Sequence, residues 1–170
     1  MVRIGTRPGP VIAGELSYCV EDHAFDFSEK PVGESSGSRA SLLIGTIQIE
    51  VDGTTGRLLF AWGYSALQGW SSSLVPVLEG ARGQAFVSAG IDLHPGMGHQ
   101  VIPVSEARAI VDFGREIIRF SQVGLDPTNS FNIAPGVELL LADSELIGVQ
   151  LAPSNFIELQ PGQSGMQNSS

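Results

Sequence analysis

The sequence contains very little cysteine and no long apolar segment. Cys19 is the only cysteine among 170 residues, so an intrachain disulfide is impossible and nothing calls for an oxidising compartment. No segment reaches the roughly 18 consecutive apolar residues of a membrane-spanning helix, and the first residues lack the apolar region of a secretory signal. We therefore expect a cytoplasmic protein that does not associate with membranes.

Basic residues are scarce as well. Lys30 is the only lysine, the arginines are scattered, and the formal net charge is -9. Nucleic-acid binding requires clustered Lys and Arg against the phosphates, so this class of function is disfavoured. The acidity is typical of a soluble surface or of a protein that binds a basic partner.

Several enzyme motifs are missing. The chain contains no phosphate-binding loop of the G-x-x-x-x-G-K type, and the segment Gly69-Trp70-Ser71-Ser72-Ser73 lacks the second glycine of a G-x-S-x-G nucleophile elbow. The glycines at 96 and 98 do not open a helix after a strand, so a dinucleotide site is not supported. We expect no cofactor, and we favour a non-catalytic role.

The composition does support a folded domain. The chain is 42% hydrophobic and 16% charged, which is compatible with a core of ordinary size. Its length suits one domain, which we place at 1–160, followed by a flexible C-terminal tail at 161–170. The 21 glycines, 10 prolines and short apolar runs predict many strands and turns.

The most regular pattern, at 42–64, predicts a β-hairpin. Apolar and polar residues alternate in its first arm at Ile47, Ile49 and Val51. The second arm places four apolar residues on one face: Leu58, Phe60, Trp62 and Tyr64. Because strand side chains alternate between faces, a turn at 53–56 would pair Val51 with Leu58, Ile49 with Phe60 and Ile47 with Trp62.

Weaker patterns predict further strands at 11–20, 74–78 and 85–93. A second hairpin is predicted around a three-residue loop, Asp143-Ser144-Glu145. That loop would match Leu141 with Ile147 and Leu139 with Val149.

One segment has the spacing of an amphipathic helix. It begins near Ser105, a suitable N-cap, and its cations Arg115 and Arg119 fall near the C-terminal end, which the helix dipole favours. Its apolar stripe consists of Ala107, Ile110, Val111, Ile117 and Ile118. Together these patterns predict an α+β fold, a mainly antiparallel sheet with this one helix packed on it.

An acidic loop at 21–40 is the first candidate binding surface. Its length predicts either disorder or a function. The carboxylates that we assign to partner binding are Asp22, Asp26, Glu29 and Glu34. We add Trp70, which lies outside the hairpin beside three serines, because an exposed tryptophan suits a protein interface.

Asp92, His94 and His99 form the one candidate metal site. Two imidazoles and a carboxylate can hold iron or zinc and leave coordination positions open. Their spacing matches no helix-borne zinc motif, and we favour the interpretation that they form a surface turn with two exposed histidines. A small enzyme or ligand-binding β-rich domain with its site here is the alternative function.

The chain resembles bacterial immunity proteins, which neutralise a secreted toxin of a competitor. The resemblance lies in its acidic, single-domain, motif-poor character, and the hairpin at 134–149 also looks like that of some short bacterial proteins. It implies a protein partner such as a basic toxin, but no functional residue can be transferred from it. The leading expectation is an acidic, non-catalytic protein that binds another protein.

Overall fold

The structure is a computed structural model that describes residues 1–30 and 37–156. No α-helix lies within these ranges, in which 3-10 turns occupy Leu67–Gly69 and Val104–Glu106. The strands are β1 (Arg3–Arg7), β2 (Gly14–Cys19), β3 (Ala24–Glu29), β4 (Arg39–Ile44), β5 (Ile47–Asp52), β6 (Arg57–Tyr64), β7 (Ser71–Ser72), β8 (Gly80–Arg82), β9 (Gln84–Ala89), β10 (Gly98–Ile102), β11 (Ala107–Asp112), β12 (Ile117–Gln122), β13 (Asn129–Ala134), β14 (Val137–Ala142) and β15 (Glu145–Leu151). The predicted α+β class is therefore wrong, because the described chain is almost entirely β.

All of these strands belong to one curled sheet that forms a half-barrel. Its main path runs β10-β4-β5-β6-β9-β1-β15-β12-β11-β7. From β15 a branch continues through β14, β13 and β8, and from β6 another continues through β3 and β2. Three pairs are parallel, namely β10 with β4, β11 with β7 and β13 with β8. The sheet is thus mixed, which corrects the prediction of a mainly antiparallel one.

The segment that was predicted to be a helix is the β11–β12 hairpin. Val111 pairs with Ile118, and Asp112 pairs with Ile117, across a turn at 113–116. The Asp112 carboxylate accepts the backbone N–H groups of Gly114 and Arg115 at 3.1 and 3.2 Å, and Glu116 has a positive φ of 57°. Side-chain capping of this kind competes with helical hydrogen bonding and stabilises a turn instead.

The first hairpin forms, but its register changes halfway. Val51 lies opposite Leu58 as predicted, whereas Glu50 lies opposite Phe60 and Ile49 opposite Ala61. A bulge on β6 causes this shift, so the predicted pairs of Ile49 with Phe60 and of Ile47 with Trp62 are wrong. Phe60 and Trp62 consequently lie on the face away from Ile49.

The second hairpin has a two-residue turn rather than the predicted three-residue loop. Asp143 and Ser144 both have positive φ, 49° and 68°, as a type I′ turn requires. Leu139 lies opposite Val149 as predicted. A bulge then places Leu141 opposite Leu146, so the predicted pairing of Leu141 with Ile147 is wrong.

The sheet curls around one hydrophobic core. Tyr18 and Phe25 lie in its centre, with ring centroids 4.6 Å apart, and the edge of Phe120 meets Phe25 at 5.8 Å. The Tyr18 hydroxyl donates to the Ser65 carbonyl at 2.6 Å, and burial raises the pKa of Tyr18 to about 12. The Asn155 side chain binds both backbone groups of Tyr18 and so covers the outer edge of β2.

Two further predictions concern the ends of the sheet and of the chain. Residues 74–78, predicted as an edge strand, are not a strand but part of an irregular connection between β7 and β8. The predicted tail at 161–170 lies outside the described residues.

No helical segment within 1–30 or 37–156 has the length and apolar character that a membrane crossing requires.

Candidate functional site

A row of polar residues crosses five neighbouring strands in register. Arg82 of β8 pairs with Asn132 of β13, Asn132 with Glu138 of β14, Glu138 with Gln150 of β15, and Gln150 with Arg119 of β12. Residues directly opposite each other point to the same side of a sheet. We call Arg82, Asn132, Glu138, Gln150 and Arg119 the polar row. It lies on the face opposite the core.

Hydrogen bonds connect three members of the row. Arg119 donates from Nε and Nη2 to Oε1 of Gln150, at 3.2 and 2.8 Å. The Gln150 amide nitrogen donates in turn to Oε2 of Glu138 at 2.9 Å. Arg119 and Gln150 are only 5% and 6% exposed. A buried guanidinium is thus held in one orientation by a neutral amide rather than by a carboxylate.

Residues 73–79, which we call the strap, pass over the β12 end of this row. Nη2 of Arg119 donates to the Pro76 carbonyl at 3.2 Å, and Nη1 of Arg115 donates to the Val75 carbonyl at 2.8 Å. At the other end of the strap, the Ser130 N–H donates to the Glu79 carbonyl at 3.1 Å. The strap is therefore attached to three strands or turns of the sheet by side chains and backbone.

Asp112 fixes both the strap and the turn that carries Arg115. Its Oδ2 accepts the Val75 N–H at 3.0 Å, and its Oδ1 accepts the Gly114 and Arg115 N–H groups. These hydrogen bonds lower the pKa of Asp112, and the bond from the Val75 N–H contributes most. The positive charge of Arg115 lowers this pKa by a smaller amount. The carboxylate accordingly stays ionised, and it fixes the backbone of Arg115, whose side chain is exposed.

A cavity of about 450 Å³ lies between the strap and the row. The charged and polar side chains that line it are Arg115, Arg119, Ser130, Asn132, Glu138 and Gln150. Burial and, second, the charge of Arg115 lower the pKa of Arg119, while Glu138 opposes this shift. Among the described residues, no carboxylate oxygen comes within 4.0 Å of either guanidinium. The cavity therefore contains two cations and one anion, in a protein whose net charge is negative.

The carboxylates that were predicted to bind a partner occupy a different region. Asp22, Asp26 and Glu29 are exposed on the hairpin of β2 and β3 or on its turn. Of these three, Glu29 alone forms an ion pair within the described part of the chain, with Arg39 at 3.5 Å. Glu34 lies outside the described residues. The structure thus places three of the four on one exposed hairpin, and none of them is a member of the polar row.

Trp70 does not have the free, exposed position that the sequence suggested. It is half-buried, its ring centroid lies 5.3 Å from that of Tyr18 and 5.9 Å from that of Phe25, and its indole N–H donates to Ser65 Oγ at 2.8 Å. A tryptophan with these contacts packs against the core, and we do not include it in a binding surface.

Asp92, His94 and His99 border a small cavity of about 120 Å³ and are all exposed. In the part of the chain that the structure describes, no group of three His, Cys, Asp or Glu side chains is placed to hold a metal ion. The geometry therefore gives the predicted metal site no support, and we do not carry it further.

The polar row is the feature that sequence reasoning missed. Its members are far apart in the chain, and Arg119, like the neighbouring Arg115, was placed near the C-terminal end of a predicted helix. The available signal was a single polar residue inside a buried run, as with Arg119 between Ile118 and Phe120 and with Gln150 between Val149 and Leu151. A buried charge with no obvious partner is worth examining as a site.

Comparison of the sequence with protein-family models gave no match, and comparison with curated proteins gave none either. Function must therefore be argued from the geometry of the chain itself.

Proposed function

We propose that the protein is a non-catalytic binding protein that holds an anionic group of its ligand between Arg115 and Arg119, beside the strap. The observation that carries this proposal is the pair of guanidinium groups that line one cavity without a carboxylate ion pair. Arg119 is buried and has therefore lost hydration, and a bound anion would compensate this loss with strong, charge-assisted hydrogen bonds.

The donors that remain available support this assignment. Nε and Nη2 of Arg119 are used by Gln150 and Pro76, whereas its Nη1 has no partner among the described residues. Toward residues 1–30 and 37–156, the Arg115 side chain donates from Nη1 alone, to the Val75 carbonyl. The site thus has fixed N–H donors for a planar or tetrahedral oxyanion. An anion would also offset the repulsion between the two guanidiniums.

The charge of the whole protein supports selectivity for small anions. With a formal net charge of -9, the long-range field repels polyanions such as nucleic acid. A ligand with one or two charges experiences less of this repulsion and gains the local attraction within the cavity. At 0.1 M salt, charges are screened over about 10 Å. The long-range repulsion is therefore weakened more than the attraction within the cavity.

Titration with sodium acetate and with inorganic phosphate, at constant ionic strength and followed by NMR of the arginine side chains, tests this proposal. We expect saturable shifts at Arg115 and Arg119, and an affinity at least about tenfold lower in Arg115→Gln, since a charge-assisted hydrogen bond contributes about 1.5–3 kcal/mol. Arg3→Gln, which removes an exposed arginine outside the site, is the matched control and should bind as the parent protein does. Absence of saturable binding by either anion, or an equal loss in the control, would refute the site.

A second candidate function is the binding of a basic protein, such as a toxin, through the exposed carboxylates of the β2–β3 hairpin. It is favoured by Asp22 and Asp26, which are exposed and form no ion pair within the described residues. Opposite charges on two proteins accelerate association, and salt weakens this effect.

The association rate with the product of an adjacent gene tests this second candidate. The double variant Asp22→Asn with Asp26→Asn should associate several-fold more slowly at low salt and retain its stability, because exposed carboxylates add little to it. Asp126→Asn with Glu106→Gln, exposed carboxylates elsewhere, is the control. Rates that do not depend on salt would count against this function.

A further inference from the structure

The polar row continues beyond the cavity at Arg115 and Arg119. A second cavity, of about 540 Å³, shares Gly80, Asn132 and Glu138 with the first and is lined at its far end by Arg82. Because three residues line both cavities, they are adjoining parts of one groove. The row is the floor of this groove, and it has a cation at each end.

The spacing of the strands gives the length of the groove. Neighbouring strands lie about 4.8 Å apart, and Arg82 is separated from Arg119 by four such steps, so the two Cα atoms are roughly 19 Å apart along the sheet. An extended peptide advances about 3.3 Å per residue. About six or seven residues in extended conformation would therefore reach from one arginine to the other.

The middle of the row requires hydrogen-bond donors from its ligand. Asn132 uses its amide nitrogen toward the carbonyls of Ala134 and Val137, which leaves its side-chain oxygen without a partner among the described residues. Glu138 accepts from Gln150 on Oε2, and its Oε1 is likewise unbonded within the same ranges. A ligand carboxylate placed here would be repelled, whereas a backbone N–H group would be bound.

We propose that the groove binds an extended acidic peptide, with one carboxylate at Arg115 and Arg119, a second at Arg82, and backbone N–H groups toward Asn132 and Glu138. This inference rests on the proposed anion site and specifies the class of its ligand. Charge complementarity at both ends, together with the acceptors between them, favours a peptide over a compact dianion, which is too short to reach both arginines.

Fluorescence polarisation with three labelled peptides of about seven residues, capped at both ends, tests the proposal. The first has glutamate at both ends with alanine and serine between, the second has a single terminal glutamate, and the third has none. We expect the doubly acidic peptide to bind at least about tenfold more tightly than the singly acidic one, by analogy with other charge-assisted contacts.

Variants then distinguish the two proposals. Arg82→Gln, at an exposed position, should abolish the advantage of the second glutamate, whereas acetate should still shift Arg115 and Arg119. Arg115→Gln should weaken the binding of both peptides and of acetate, and Arg3→Gln should weaken none.

Each remaining outcome overturns a defined part of the argument. Equal affinity for the singly and doubly acidic peptides, or no effect of Arg82→Gln, would refute the extended ligand while leaving the anion site intact. Glutarate binding as tightly as the doubly acidic peptide would refute the peptide class. Failure of acetate, phosphate and all peptides to bind would refute both proposals.

Discussion

Replacement of Phe25 by alanine is expected to lower the free energy of unfolding by about 3–5 kcal/mol, the usual loss for a buried aromatic residue. Phe25 is 2% exposed, and its ring contacts those of Tyr18, Trp70 and Phe120. The truncated side chain leaves a cavity that neighbouring strands cannot readily fill, because β3, which carries Phe25, is paired with β2 on one side and with β6 on the other. Urea unfolding at neutral pH measures the effect.

Phe60→Ala is the matched control, since it removes the same side chain at a half-buried position. Phe60 is half-buried and stacks on Phe27 at 4.8 Å, so we expect a smaller loss of about 1–2 kcal/mol. If Phe60→Ala cost as much as Phe25→Ala, Phe60 would belong to the core. The register read directly from the sequence would then be the better description of β6.

The comparison of these two residues shows what alternation can and cannot predict. In β5 the alternation is strict, and Ile47, Ile49 and Val51 are indeed all buried, which confirms the first arm of the hairpin. In β6 the consecutive residues Leu58 and Leu59 are both buried, at 1% and 7% exposed. A bulge adds one residue to one strand and exchanges the faces of all that follow, and it leaves no clear mark in an apolar sequence.

The missing helix has a related cause. Ala107, Ile110 and Val111 fit a helical stripe, yet Val111 also pairs with Ile118 across a hairpin. Short apolar runs satisfy both periodicities, and the β-branched residues among them favour strands. The decisive feature is the Asp112 carboxylate, which caps a turn around Gly114 instead of facing solvent on a helix.

The candidate site could not be assembled from local pattern. The exposure of Asp22, Asp26 and Glu29 follows from composition alone, because isolated carboxylates remain hydrated. The polar row, in contrast, depends on the order and register of five strands that come from residues 80–151. A one-residue error in any of these registers would move a member of the row to the opposite face.

A second large loss of stability is expected when the hydrogen bonds between Arg119 and Gln150 are broken. Gln150→Leu removes the acceptor of two Arg119 hydrogen bonds, and among the described residues it leaves this buried cation with the Pro76 carbonyl alone. Leaving a buried charged donor without an acceptor costs more free energy than one hydrogen bond contributes in net stabilisation. We therefore expect a loss of about 2–3 kcal/mol in the free energy of unfolding. Arg119→Met should cost less, since the amide that remains is neutral and borders a cavity.

The double variant Arg119→Met with Gln150→Leu gives the sharper measurement. It replaces the pair by apolar side chains of similar size, so its loss should be smaller than the sum of the two single losses by at least about 1.5 kcal/mol. Arg119→Met with Gln48→Leu, on β5 five strands away in the sheet, should be additive within about 0.5 kcal/mol. Additive losses for Arg119 with Gln150 would mean that the two side chains do not act as a hydrogen-bonded unit. The polar row would then lose the fixed orientation of Arg119 on which the anion site depends.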